Sequence, residues 1–414
     1  MFFQKTCLSM AMLACALPAL ALTTPLPPEA NIGLAKDLYD LSAQEQAPTY
    51  RNMDFLYPTR EVKTGKKALN LPKTKKPLTV TYQADGQTID VDGFIQRNNV
   101  AGLLVLKDGK IVLERYAQGN NEHTRWTSFS IIKSISSTLI GAALAEGKIK
   151  SLNDDVTLYV PKLKGSAYEG VTVGQILDMS SGVKWNETYR DPQSDRRAMF
   201  TAQLSQKPGS VTQVMAKLSR AHEPNTVFNY STGESFLQAE ILKGATGKFA
   251  SEYLSERIWS KVGMQTPAFW QLEAADSVEI ASSGFSATLR DYGRFGQFIL
   301  NDGVINGKRV LPQGWVASIA DVKPESHLYP GKLYDGEYDL GYHKQWWIFP
   351  KGDKAYAEHG DGAFSAVGIF GQYLYVNPKE NLVAVVWSTW EKPEIEAKEK
   401  ETFDFIAAAI KASR

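Results

Sequence analysis

Thr127-Ser-Phe-Ser-Ile-Ile-Lys-Ser-Ile-Ser-Ser-Thr-Leu-Ile-Gly-Ala-Ala-Leu-Ala-Glu-Gly147 is the stretch on which the reading of this chain turns. Ile132, Ile135, Leu139 and Ala143 recur at helical spacing, and Gly147 is a natural C-terminal stop. Between Ser128 and Ala145 the only charge is Lys133. Residues three apart on a helix share a face, so the Lys133 amine reaches the Ser130 hydroxyl. A serine hydroxyl is a poor nucleophile until a nearby base takes its proton. A lysine among apolar neighbours near a helix N-terminus loses affinity for its own proton, because burial and the helix dipole both oppose the cation. Lys133 is therefore a base near neutral pH. The alternative is a solvated stripe of Ser130, Lys133, Ser134 and Ser137 on an amphipathic helix. Such stripes carry several charges of both signs, and this one carries a single charge.

Two later stretches keep company with it. Phe228-Asn-Tyr230-Ser231-Thr232-Gly233 is a loop entering the helical run Glu234-Ser-Phe-Leu-Gln-Ala-Glu-Ile-Leu, and Ala366-Val-Gly368-Ile369-Phe370-Gly371-Gln372 precedes a β-rich run. With Ser130-Ile-Ile-Lys133, these resemble the three elements of the serine β-lactamase, penicillin-binding protein and related esterase superfamily. The chain looks most like the branch of the 6-aminohexanoate-dimer hydrolases, over roughly residues 95–410.

The resemblance implies Ser130 as nucleophile, Lys133 as base and Tyr230 as proton relay, with Tyr230 favoured as a phenolate by a charged Lys133. It also implies an oxyanion hole made by the backbone N–H groups of Ser130 and Ile369. Where the lactamases carry Lys-Thr-Gly, this chain has Ile369 and Phe370 beside glycines, which implies a less anionic, more apolar acyl pocket lined by Phe370. Either residue also suits plain strand core. Thr232 stands where many lactamases have asparagine, which weakens the lactamase reading. In Trp185-Asn-Glu-Thr-Tyr189, Tyr189 is either a substrate contact, as in the aminohexanoate branch, or an ordinary packed loop aromatic. In Leu340-Gly-Tyr-His-Lys-Gln-Trp-Trp-Ile-Phe349, read as a strand, Trp346 and Trp347 point to opposite faces. One is core and one lines the cleft, and Trp346 is taken as the substrate contact.

Outside these elements the text is plainer. Lys5, the apolar run from Cys7 to Leu22 and Ala19-Leu-Ala21 read as a signal peptide over residues 1–21, hence a periplasmic or secreted protein. Met12-Leu-Ala-Cys15 is a poor lipoprotein box, and the run is short for a membrane anchor. Both cysteines lie in this leader, so the mature chain has no disulfide or thiolate chemistry. Without the leader, 45 basic residues face 45 acidic ones, which gives no reason to expect nucleic acid or an anionic membrane as partner. Residues 22–80 read as a Pro-rich, charged N-terminal extension wrapping the surface. Lys63-Thr-Gly65 within it matches the lactamase motif by letters alone and is a decoy.

No Gly-x-Ser-x-Gly, His-Glu-x-x-His or Walker sequence occurs, and the five histidines have no metal-ligand spacing. His359 reads as a surface-loop residue, and Asp291 with Arg294 as a structural pair. No metal or cofactor is expected. The expectation is an α+β, serine β-lactamase-like fold over residues 81–414, its antiparallel sheet flanked by helices and a mainly helical lobe inserted at about 126–284. Its expected activity is hydrolysis of a small ester or linear amide through an acyl-enzyme, with the oligomeric state open. A β-lactamase, a D-alanyl peptidase and a non-hydrolytic penicillin-binding-like protein are the alternatives.

Overall fold

A computed structural model describes residues 37–333, 336–352, 354, 356–360 and 362–414; the expected leader lies outside the described residues. Strands β1 (Thr59–Val62), β2 (Val100–Lys107), β3 (Lys110–Tyr116), β4 (Arg125–Thr127), β5 (Ala268–Gln271), β6 (Phe285–Thr288), β7 (Gly341–His343), β8 (Trp346–Ile348), β9 (Phe364–Gly368), β10 (Gln372–Asn377) and β11 (Leu382–Ser388) build two antiparallel sheets. The larger has the order β7-β8-β9-β10-β11-β2-β3, and the smaller β1-β5-β6-β4. The helices that bear on function are α1 (Ala43–Tyr50), α2 (Ile131–Ala145), α3 (Asp195–Leu204), α4 (Thr232–Thr246), α5 (Leu289–Leu300) and α6 (Glu396–Ser413).

The central strands read as unbroken apolar runs because both of their faces are covered. Successive side chains alternate between two cores. Leu104, Leu106, Val383, Val385 and Trp387 join the core that includes α2 and α5, whereas Leu103, Val105, Leu382, Ala384 and Val386 join the core under α6. Gly293 and Gly296 let α5 lie directly on Leu104 and Val383. The β2–β3 hairpin turns at Asp108-Gly109, both at positive φ, as its tight two-residue loop requires.

The stretch Leu340–Phe349 is a hairpin of two short strands, not one strand; Lys344 and Gln345 at positive φ make its turn. Gln345 ties that turn to the helical lobe. Its Nε2 donates to the carbonyls of Ile176 and Leu177, its Oε1 accepts from the Ser235 hydroxyl, and its own carbonyl accepts from Ser134 on α2. Asp291 and Arg294 form the expected buried pair at 2.7 Å. Lys63-Thr-Gly65 packs against Ser255 and Ser260 instead of the large sheet. His359 is not on the surface. It is buried against Phe349 with Nδ1 2.8 Å from the Tyr375 hydroxyl, and burial pushes its pKa down to about 4.

The N-terminal extension does more than wrap the surface. Its β1 is an edge strand of the smaller sheet, and Tyr39, Tyr50 and Val62 are core residues. The Tyr50 ring lies 4.9 Å from Phe129 and 5.9 Å from Phe370. Charged, Pro-rich composition hid this contribution, because a few large aromatics supply it.

Candidate active site

Helix α2 begins soon after β4, and Ser130 stands immediately before its first residue, its hydroxyl not spent on capping the helix. The preceding residue, Phe129, is held at φ 44°, a region that costs a bulky side chain about 1–3 kcal/mol unless its surroundings enforce it. Phe370, in the β9–β10 turn, is likewise at positive φ. The two rings meet at 5.4 Å with Tyr50 between them, so one aromatic cluster supports both irregular segments. Gly368 lets β9 end against them: a Cβ there would sit 2.6 Å from the Ser128 carbonyl oxygen and 3.1 Å from the Ser130 nitrogen. The backbone N–H groups of Ser130 and Ile369 meet no acceptor among the described residues.

Lys133 lies one turn into α2, and α2 is buried almost throughout, so the amine has no access to bulk water. Its Nζ is 3.0 Å from Ser130 Oγ, 3.2 Å from Thr232 Oγ1 and 2.7 Å from the Ser282 carbonyl oxygen. The Ser282 carbonyl can only accept. The Thr232 hydroxyl donates its one proton to Glu187 at 2.5 Å, so towards Lys133 it too can only accept. An uncharged amine has two hydrogens and one lone pair. In that form its two hydrogens serve these two acceptors, which leaves the lone pair for the Ser130 hydroxyl. Burial is the largest cause of a Lys133 pKa lowered to about 7; Glu187 pulls it up and Arg196 pushes it further down.

Tyr230 sits on the loop entering α4, stacked on Trp347 at 5.6 Å and met edge-on by Tyr342. Its ring centroid is 5.4 Å from Lys133 Nζ. The expected phenolate is overturned. Burial first, then the Glu187 carboxylate, pushes the Tyr230 pKa up, only partly relieved by the Ser130 hydroxyl. Tyr230 is a neutral phenol, able to donate.

Of the expected substrate contacts, Tyr189 lines the cavity that Ser130 and Lys133 open into, as does Ile369, the expected oxyanion donor. Phe370 and Trp346 do not. Phe370 is buried under Tyr50 and Phe129, and Trp346 is buried edge-on to Phe364. Trp347, the other face of the pair, is the one that reaches the site, by backing Tyr230. The apolar acyl wall expected from Phe370 is therefore absent.

Two charged residues at the site escaped sequence reading. Glu187 lies inside Trp185–Tyr189 and is buried, accepting from Trp185 Nε1, Thr232 N and Thr232 Oγ1. Arg196, on α3, lines the cavity opposite the nucleophile's helix. Leu38 and Tyr39 line it too, with Tyr39 packed on Tyr189 at 5.4 Å. The cavity is small, about 30 Å³ or room for about two waters. Among the described residues, no group of His, Cys, Asp and Glu is arranged to hold a metal ion, and no helix is long and apolar enough to cross a membrane.

An antiparallel sheet and a helical lobe, with a buried Ser-x-x-Lys helix at their junction, define a serine hydrolase. Residues 90–409 match the family model "Beta-lactamase", and the chain belongs to that family. It is 30% identical over 310 residues to the 6-aminohexanoate-dimer hydrolase of Paenarthrobacter ureafaciens, a match covering 74% of this chain and 76% of that one. A solved structure assigned as a 6-aminohexanoate-dimer hydrolase from Bacillus anthracis superimposes with a TM-score of 0.79 at 26% identity, covering 93% of this chain and 98% of the other. A family VIII carboxylesterase shares the fold, with a TM-score of 0.58 at 15% identity, covering 77% and 95%.

Proposed function

We propose that the protein is an exported hydrolase of carboxylic esters or linear amides, working through an acyl-enzyme on Ser130. The observation that carries this is the buried Lys133 amine 3.0 Å from Ser130 Oγ, with the Thr232 hydroxyl and the Ser282 carbonyl as acceptors for its hydrogens. Ser130 Oγ attacks the substrate carbonyl carbon as its proton passes to Lys133 Nζ. The oxygen that gains negative charge is received by the N–H groups of Ser130 and Ile369. The carbon–oxygen or carbon–nitrogen bond then breaks. The leaving alkoxide or amine takes the Tyr230 phenol proton, and the Lys133 ammonium returns one to Tyr230. Water repeats the sequence on the ester of Ser130, freeing the acid. The likeness to 6-aminohexanoate-dimer hydrolases supports a linear amide, and the leader-like residues 1–21 support export.

The test is an assay of protein lacking residues 1–21 on p-nitrophenyl acetate and butyrate, a 6-aminohexanoate dimer and nitrocefin. Ester or linear-amide turnover exceeding nitrocefin turnover is expected; dominant nitrocefin turnover would make it a lactamase instead. Fractionation of cells producing the full chain checks export, and retention of the leader in the cytoplasmic fraction would refute it.

The pH dependence follows from the amine. Lys133 accepts a proton only when neutral, so kcat/KM rises through about pH 7 and then levels. Glu187→Gln removes the charge that holds the Lys133 pKa up, so the acid limb moves to lower pH. Initial rates on p-nitrophenyl butyrate between about pH 5 and 9 measure both. A flat profile, or a limb unmoved in the variant, would exclude Lys133 as the base.

A further inference from the structure

Arg196 is the one charged residue lining the cavity that the acyl-transfer scheme does not use. The residue is only 7% exposed, and its Nη1 is fully enclosed without a hydrogen-bond partner. No carboxylate among the described residues pairs with it. Glu187, which bonds to the cavity residue Thr232, has its oxygens already accepting from Trp185 and Thr232. Asp37, the next acid, pairs with Arg197. What Arg196 does meet is aromatic: the Tyr39 and Phe200 rings, with its guanidinium carbon 5.8 and 5.9 Å from their centroids, near the outer limit of a cation–π contact. Its backbone N–H is held by the Asn186 carbonyl, so the helix start that aims the side chain is fixed.

A guanidinium taken out of water without a counter-ion is costly to fold around. The same group becomes favourable once a carboxylate fills the cavity and accepts two of its N–H bonds side by side. We infer that Arg196 is a carboxylate anchor, and that the substrates of this enzyme carry a free carboxylate on the acyl chain, away from the scissile bond. This rests on the serine hydrolase reading above and names its substrate class. It also reverses the expectation drawn from the missing Lys-Thr-Gly: the sheet has lost a cation, and the helical lobe supplies one. Substrate entry displaces Leu38 and Tyr39, since the present cavity has no room for an acyl chain.

The test compares hemi-p-nitrophenyl esters of succinate, glutarate and adipate with neutral p-nitrophenyl butyrate. In the unaltered enzyme the best hemiester exceeds butyrate in kcat/KM, and Arg196→Met lowers the ratio of the two roughly 10- to 100-fold, the effect of one charged hydrogen-bonded pair. Arg196→Lys, which keeps the charge but not the fork, retains part of the preference. Independently of turnover, glutarate raises the melting temperature of the unaltered protein and glutaramide does not. Arg196→Met melts no lower than the parent without ligand and is not stabilised by glutarate.

An unchanged ratio, or equal stabilisation of Arg196→Met by glutarate, would overturn the inference. So would failure of Arg196→Met to fold, since losing an uncompensated charge should not unfold the chain. Glutarate stabilisation that depends on Arg196, in a protein that hydrolyses no ester or amide, would keep the anion site and discard the hydrolase reading.

Discussion

Ser130→Ala should reduce ester turnover by about four orders of magnitude or more, leaving only what binding and the two backbone N–H groups provide. The side chain is small, and its Oγ has Lys133 Nζ as its directed partner, so the variant loses little packing. Folding should be intact by circular dichroism and by a cooperative melt. The check is a burst experiment on p-nitrophenyl acetate together with mass spectrometry of the quenched enzyme. The parent gains one acyl mass and the variant none. Turnover of the variant within tenfold of the parent would move the nucleophile elsewhere.

Lys133→Met should act in opposite directions on rate and stability. Losing the base lowers kcat/KM by about 10²- to 10⁴-fold. The stability sign follows from proton linkage. The unfolded lysine keeps its ordinary pKa of 10.5, while the folded one lies at about 7. Between those values the unfolded chain binds more protons, so stability rises with pH across that window and carries the full penalty below it. The penalty is several kcal/mol, at about 1.4 kcal/mol for each pH unit of displacement. Methionine has the length to fill the space and no charge to bury. Against that, it leaves the Ser282 carbonyl and the Thr232 hydroxyl short of a donor, at about 1 kcal/mol each. A net stabilisation of about 2 kcal/mol at neutral pH is expected, together with loss of the parent's rise in stability toward alkaline pH. Urea melts at several pH values measure it. A variant less stable than its parent at pH 7 would show that the amine is not held neutral.

The pairing of Ser130 with Lys133 was legible because it is local. Ser130 and Lys133 share one helical turn, and the isolation of that single charge in an apolar run is visible in the text. The sheet was legible for a similar reason, since continuous apolar runs with turn signals between them announce strands covered on both sides. What was not legible depends on distant segments. Glu187 and Arg196 are ordinary charged residues in a polar stretch until folding brings them to Lys133. The parity of Trp346 and Trp347 was readable, but its assignment depended on the Lys344–Gln345 turn, which sends Trp346 into the core. The Tyr230 phenolate failed on magnitude. Burial lowers the pKa of its supposed stabiliser to about 7, and burial of the phenol itself is the largest cause of the upward shift at Tyr230.

The aromatic contact between Tyr50 and the rings at Phe129 and Phe370 puts part of the support of the candidate site outside the segment that matches the family. The family match begins at residue 90, yet the ring that packs on both Phe129 and Phe370 lies forty residues upstream of it. The Bacillus anthracis structure, which covers 93% of this chain, extends across most of that upstream segment. A gene fragment cut at the family boundary would encode Ser130, Lys133 and Tyr230 and would still lack the ring packed on Phe129 and Phe370. A border drawn at residue 90 therefore divides one aromatic cluster between two pieces of chain.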